Sequence, residues 1–167
     1  MDLYVIRHGI AVEAGMPGFE HDSQRPLTEK GREKMRGIAV GLLALDVKLD
    51  MVLSSPYVRA WETAQILSEV FDMKGKLAFS DYLVPANFTE QLIGEIIEKY
   101  PVGSLALVGH EPSLSALIST LLAGEPDMMI NMKKGAVCCL KLDLQGRDRR
   151  AMLEWLLSPA QLLKLGE

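Results

Sequence analysis

Four short apolar runs, at residues 3–6, 51–53, 76–80 and 105–108, are each followed by a stretch whose apolar residues recur at three- and four-residue steps. The short runs suit buried strands and the periodic stretches suit amphipathic helices. A strand that is followed each time by a helix is fed back parallel to its predecessor, so the order predicts a mostly parallel sheet covered on both faces. The first helix follows a capping Thr28 and carries Met35, Ile38, Leu42 and Leu45. The second follows Ser54-Ser55-Pro56, with proline suited to its first turn, and buries Ala60, Ala64, Leu67 and Phe71. The third carries Leu92, Ile93, Ile96 and Ile97. The fourth, opened by Pro112, carries Leu114, Leu117, Ile118, Leu121 and Leu122. Two more strands, at 136–142 and 151–157, are expected as an antiparallel pair around a turn at Gln145 and Gly146, before a short helix from Pro159. The expectation is a three-layer α/β/α sandwich made as a single domain over residues 1–167, with no internal repeat or linker.

Composition narrows the class. The chain has 167 residues, 49% of them hydrophobic, and a formal net charge of -4. That length suits one domain whose core needs no disulfide or structural metal. A pI near 5.4 gives no general attraction to nucleic acid or to an anionic membrane, so any anion site must be a local basic cluster. No stretch reaches the roughly 18 apolar residues of a membrane span, and residues 1–7 lack the features of a signal peptide. A cytoplasmic protein is expected. Cys138 and Cys139 are neighbours on an expected strand, point to opposite faces and read as small buried hydrophobes. No feature specifies an oligomeric state.

Ligands of open α/β sheets bind beyond the carboxyl ends of the strands. Three such ends carry polar residues: Arg7-His8-Gly9, Ser54-Ser55-Pro56 with Arg59, and Gly109-His110. Each alone has an ordinary explanation, as a strand-end loop, a core histidine or a solvated helix arginine. Side by side they form a site. Arginine offers a planar, permanently charged fork of donors that matches phosphate oxygens, so the expected ligand is a phosphoryl group. A neutral imidazole is a competent nucleophile toward phosphorus near neutral pH. His8, between Arg7 and a glycine that leaves its ring face open, suits that role, and His110 suits a second donor. The polar loop 9–26 between the first strand and first helix is long enough to be functional, and His21 within it is expected to be exposed. A zinc site built from His8, His21 and His110 lacks the ligand spacing that would support it. Met128, Met129 and Met132 read as gap-filling core or a small apolar surface, and Lys133-Lys134 as a solvated pair.

The segments Arg7-His8-Gly9, Arg25-Pro26-Leu27-Thr28 with Gly31, Ser54-Ser55-Pro56 with Arg59-Ala60 and Thr63-Ala64, and Val108-Gly109-His110 resemble the histidine phosphatase superfamily, and within it the small SixA-type phosphohistidine phosphatases. The resemblance implies a phosphoglycerate-mutase-like fold without a large lid insertion, with no metal and no cofactor. It implies His8 as the phosphorylated nucleophile, with Arg7, Arg59 and His110 catalytic. Arg7, Arg59, His110 and Gly9 then bind substrate, joined by Arg25 as the loop arginine that approaches the pocket. Larger relatives carry an acidic proton donor in a Leu-x-Glu pattern. Here the matching stretch is Leu83-Val84-Pro85, which leaves Asp81 or Glu111 as substitutes. A phosphoramidate leaves as imidazole and needs less acid assistance than an alkoxide. The expected function is therefore dephosphorylation of phosphohistidine on a phosphorelay or phosphocarrier protein. The alternatives are a phosphatase of small phosphomonoesters or sugar phosphates and a non-catalytic phosphohistidine-binding module.

Overall fold

The computed structural model describes residues 1–86, 88–143 and 151–167. The expected turn at Gln145 and Gly146 lies outside the described residues. The chain runs β1 (Asp2–Arg7), α1 (Glu29–Ala44), β2 (Met51–Ser54), α2 (Val58–Val70), β3 (Leu77–Phe79), α3 (Thr89–Lys99), β4 (Ser104–Gly109), α4 (Ser113–Ala123), β5 (Val137–Leu142), β6 (Ala151–Leu157) and α5 (Pro159–Leu165). The strands form one sheet in the order β3-β2-β4-β1-β5-β6. Its first four members are parallel, and β5 and β6 join antiparallel.

Strand alternation divides the core between the two faces of the sheet. Tyr4 and Ile6 of β1 pack with Met35, Ile38 and Leu42 of α1, Ala60, Ala64 and Leu67 of α2, and Leu162 of α5. Leu3 and Val5 pack on the other face with Leu92 and Ile96 of α3 and Leu114, Leu117 and Leu121 of α4. Cys138 and Cys139 follow the same rule, one in each core, and both are free thiols. This is the expected three-layer architecture. Among the described residues no helix is long and apolar enough to cross a membrane.

Helix ends depart from the sequence reading in three places. Helix α1 stops at Ala44, so Leu45 is its cap and is 37% exposed instead of buried. The amides of Asp46, which has a φ of 55°, and Val47 close on the carbonyls of Leu43 and Leu42, and the reversed chain buries Val47 in the core. Phe71 likewise caps α2 and is half-buried. Helix α2 itself begins two residues beyond Pro56, after a turn in which the Tyr57 amide donates to Ser55 Oγ.

Register places the site. Arg7 pairs with Gly109 and Ser54 pairs with Val108, so β1, β2 and β4 end together at one edge of the sheet. His8, Ser55 and His110 are within a residue or two of those paired ends.

Candidate active site

His8 extends the β1–β4 ladder by one bond, its amide donating to Gly109 O at 3.1 Å, and its side chain turns inward with 6% exposure. Ring Nδ1 lies 2.7 Å from Gly9 O. A carbonyl only accepts, so Nδ1 carries the proton and the neutral ring keeps its lone pair on Nε2. Arg59 Nε donates to that lone pair at 3.2 Å. Gly9 is required by close approach: a Cβ there would stand 2.7 Å from Met35 Cγ. Its amide donates to Thr63 Oγ1 at 3.1 Å, and the Thr63 hydroxyl donates to Arg59 O at 2.7 Å. Gly9 thus orients His8 through its carbonyl and ties β1 to α2 through its amide. Burial lowers the His8 pKa to about 3 against the opposing hydrogen bond to Gly9, and the charges of Arg59, Arg7 and Lys134 lower it further.

Arg59 projects from the first turn of α2 and is 4% exposed. Its Nη1 donates to Asp22 O at 2.6 Å and its Nη2 to Asp22 Oδ2 at 2.9 Å, while the guanidinium carbon lies 5.1 Å from the centroid of the Tyr57 ring. His110 faces His8 with ring centroids 5.0 Å apart and meets Tyr57 edge-on at 5.1 Å. Its Nε2 lies 2.9 Å from Ser55 Oγ. Burial lowers its pKa to about 3, assisted by His8, Arg59 and Arg7 and opposed by Asp22. Both rings are therefore neutral at pH 7. Arg7 donates from Nη1 to Met132 O at 2.8 Å, and its carbonyl accepts from Gly135 at 3.0 Å. Gly135, with a φ of +83°, permits the tight turn that carries Lys133 and Lys134. Among the described residues, the buried side-chain polar atoms left without a partner are Arg7 Nε and His110 Nδ1. Each unpaired buried donor or acceptor costs about 1–3 kcal/mol. Both belong to the cluster around His8.

Arg7, His8, Gly9, Arg59 and His110 thus converge as the strand ends predict. Arg25 takes a different place. Its Nε and Nη2 donate to Asp22 Oδ1 at 2.9 and 2.5 Å and its Nη1 to Val12 O at 2.6 Å, so it meets the cluster through Asp22. Burial raises the Asp22 pKa, but hydrogen bonds from Arg25 and Arg59 and the charges of both outweigh it and hold the carboxyl below its ordinary value. Sequence reasoning missed Asp22; the available signal was an acid three positions before Arg25 in a functional loop. His21 is exposed. Glu111 accepts from the Ser115 amide at 3.0 Å and from the Ser115 hydroxyl, capping α4. Asp81 lines a surface hollow with Tyr82, Glu95 and Lys99. An open cleft of about 630 Å3 runs between Pro85, Glu111, Pro112, Met128 and Met129.

The profile of the histidine phosphatase superfamily (branch 1) matches residues 3–78, from β1 into β3. The phosphohistidine phosphatase SixA of Escherichia coli is 26% identical over 97% of this chain and 96% of its own. An uncharacterized protein of Picosynechococcus sp. is 32% identical over 84% of this chain and 85% of its own. The solved structure of the protein histidine phosphatase SixA complexed with tungstate superposes with a TM-score of 0.83 at 25% identity, covering 97% of this chain and 99% of that one. A likeness that begins at the Arg7-His8 strand end and extends in sequence and fold over nearly the whole length shows that the chain belongs to the histidine phosphatase superfamily.

Proposed function

We propose that this protein, as a single domain over residues 1–167, is a phosphohistidine phosphatase that acts on a phosphoprotein through a phosphoryl intermediate on His8. The observation that carries this reading is the His8 ring: Nδ1–H is committed to Gly9 O, and the unprotonated Nε2 accepts from Arg59 Nε at 3.2 Å. The unpaired nitrogens of Arg7 and His110 support an anion in the same cluster. In the first step the Nε2 lone pair forms an N–P bond as the N–P bond of the substrate breaks, and the substrate imidazole departs with that electron pair and takes up a proton. In the second step water attacks phosphorus, the His8–phosphorus bond breaks, and inorganic phosphate leaves as the water's proton is released. Arg7 and Arg59 oppose the negative charge on the phosphoryl oxygens throughout.

The leaving group decides the substrate class. Position 85 is proline, Glu111 is engaged at the start of α4, and Asp81 stands with Glu95 and Lys99. An alkoxide would depart without a positioned acid, whereas imidazole departs readily. The likeness to SixA supports the same choice and a protein as the phosphohistidine donor.

A hydrolysis panel tests it. A phosphohistidine protein or peptide and activated aryl phosphates should turn over much faster than sugar phosphates and phosphoglycerate, and exhaustive chelation should leave the rate unchanged. Efficient hydrolysis of alkyl phosphates with little dependence on the leaving group would establish a small-molecule phosphatase instead. Phosphohistidine binding without turnover would establish a binding module.

A further inference from the structure

We propose that Asp22 is a positioning residue for phosphoryl transfer: held by Arg25, it grips Arg59 by both terminal nitrogens and keeps the Nε edge of the guanidinium turned toward His8. The inference rests on the reading of His8 as nucleophile.

The hydrogen bonds separate what changes during reaction from what stays. Arg59 makes three side-chain bonds, Nε to His8 Nε2, Nη1 to Asp22 O and Nη2 to Asp22 Oδ2. When Nε2 bonds to phosphorus its lone pair is no longer available, so the first bond is lost at the moment when the guanidinium must face the phosphoryl oxygens. Of its side-chain hydrogen bonds, the two to Asp22 then remain to hold the end of a long, rotamer-rich side chain. Asp22 cannot be anchored by burial, because its side chain is 50% exposed. Arg25 supplies the anchor instead. Two of its nitrogens hold Asp22 Oδ1 and the third holds Val12 O, leaving Oδ2 directed to Arg59. Arg25 therefore acts through Asp22, and the two should behave as one unit.

Kinetics of the full-length protein on a phosphohistidine peptide, with inhibition by inorganic phosphate, distinguish positioning from general loop damage. Asp22→Ala should lower kcat by about tenfold to a hundredfold, approaching the loss of a charge-stabilising donor, while the phosphate inhibition constant moves by less than about threefold. Asp22→Asn keeps a side-chain oxygen for Arg59 and should retain more of the rate than Asp22→Ala. Arg25→Ala should lower kcat in the same direction, and the Asp22→Ala/Arg25→Ala double variant should be no slower than Asp22→Ala, which is the non-additivity of a shared unit. Additive losses, or an unchanged kcat in Asp22→Ala, would overturn the inference. So would tighter phosphate binding with a raised kcat/KM, which would make the carboxylate an occupant of the phosphoryl position. If Asp22→Ala does not fold by circular dichroism, the comparison of Asp22→Asn with Arg25→Ala carries the test by the same criteria. An inert His8→Ala beside a normal Asp22→Ala removes this inference alone; a fully active His8→Ala removes the nucleophile reading beneath it.

Discussion

His8, Arg59 and His110 are 6%, 4% and 2% exposed, and each is fixed by a strand end or by the helix that follows one, whereas Asp22 is half exposed on the loop between β1 and α1. The floor of the site is held by the sheet: the His8 amide is bonded to Gly109 O and the Ser55 amide to Val108 O. The rim is held by side chains, chiefly Arg25 on Asp22 and Asp22 on Arg59. A group fixed by backbone register is costly to displace, and a group fixed by exposed ion pairs is not.

The largest effect should come from the floor. His8→Ala should reduce turnover by on the order of a thousandfold or more, because on the proposed mechanism it removes the nucleophile and leaves phosphate binding alone. Rapid-quench labelling should find an acid-labile, alkali-stable phosphoryl group on the parent protein and none on the variant. A variant that still turns over would mean that water attacks the substrate directly. Next in size is Arg59→Lys, expected to lose about a hundredfold in kcat, since an ammonium cannot bridge His8 and Asp22 as the guanidinium does. A near-normal rate would place the charge, and not its fork, at the centre of the site.

Titration distinguishes the two regions by cause and not by direction. Burial lowers both His8 and His110 from an ordinary value of 6.5 to about 3. The unfolded chain takes up protons at these rings as pH falls through 6.5, while the folded protein does not until near 3. Stability should therefore be lost progressively over that interval and be fully present above it. The lowered pKa of Asp22 acts in the same direction, because an unfolded Asp22 binds its proton at a higher pH than the folded one. NMR of the free protein should show both histidine rings neutral at pH 5. A titration of the His8 or His110 ring near 6.5 would mean that water reaches the floor.

The floor was also the part legible in the sequence. Arg7-His8, Arg59 and Gly109-His110 stand at or just beyond strand ends that hydropathy reveals, and a parallel sheet brings such ends together whatever lies between them. Loop contacts have no comparable rule. Asp22 reaches Arg59 across 37 positions, and nothing in the periodicity of either segment encodes the meeting. Arg25 was recognised by resemblance, but its partner was not. Leu45 shows the same limit at a helix end, where its spacing continues the apolar stripe of α1 although the helix has ended at Ala44 and the turn at Asp46 gives the buried place to Val47.

The smallest predicted effect concerns the joint between floor and rim. Glu62, one turn after Arg59 on α2, accepts from the Leu27 amide through Oε2 at 2.6 Å and pairs through Oε1 with Arg32 Nη2 at 2.6 Å. Leu27 also bridges to Ala11, so Glu62 fastens the point where the two limbs of the loop meet. Replacing it with glutamine keeps an acceptor for Leu27 and should change stability little. Replacing it with alanine leaves that amide without its charged partner and should cost about 1–2 kcal/mol, read as a lowered Tm. Because Asp22 is fastened to Arg59 and Arg25 independently of Glu62, kcat should fall only a fewfold in the alanine variant. A loss as large as that of Asp22→Ala would show that the rim is aligned from its base at Leu27. A loss in Tm alone would show that the clamp on Arg59 is local to Asp22 and Arg25.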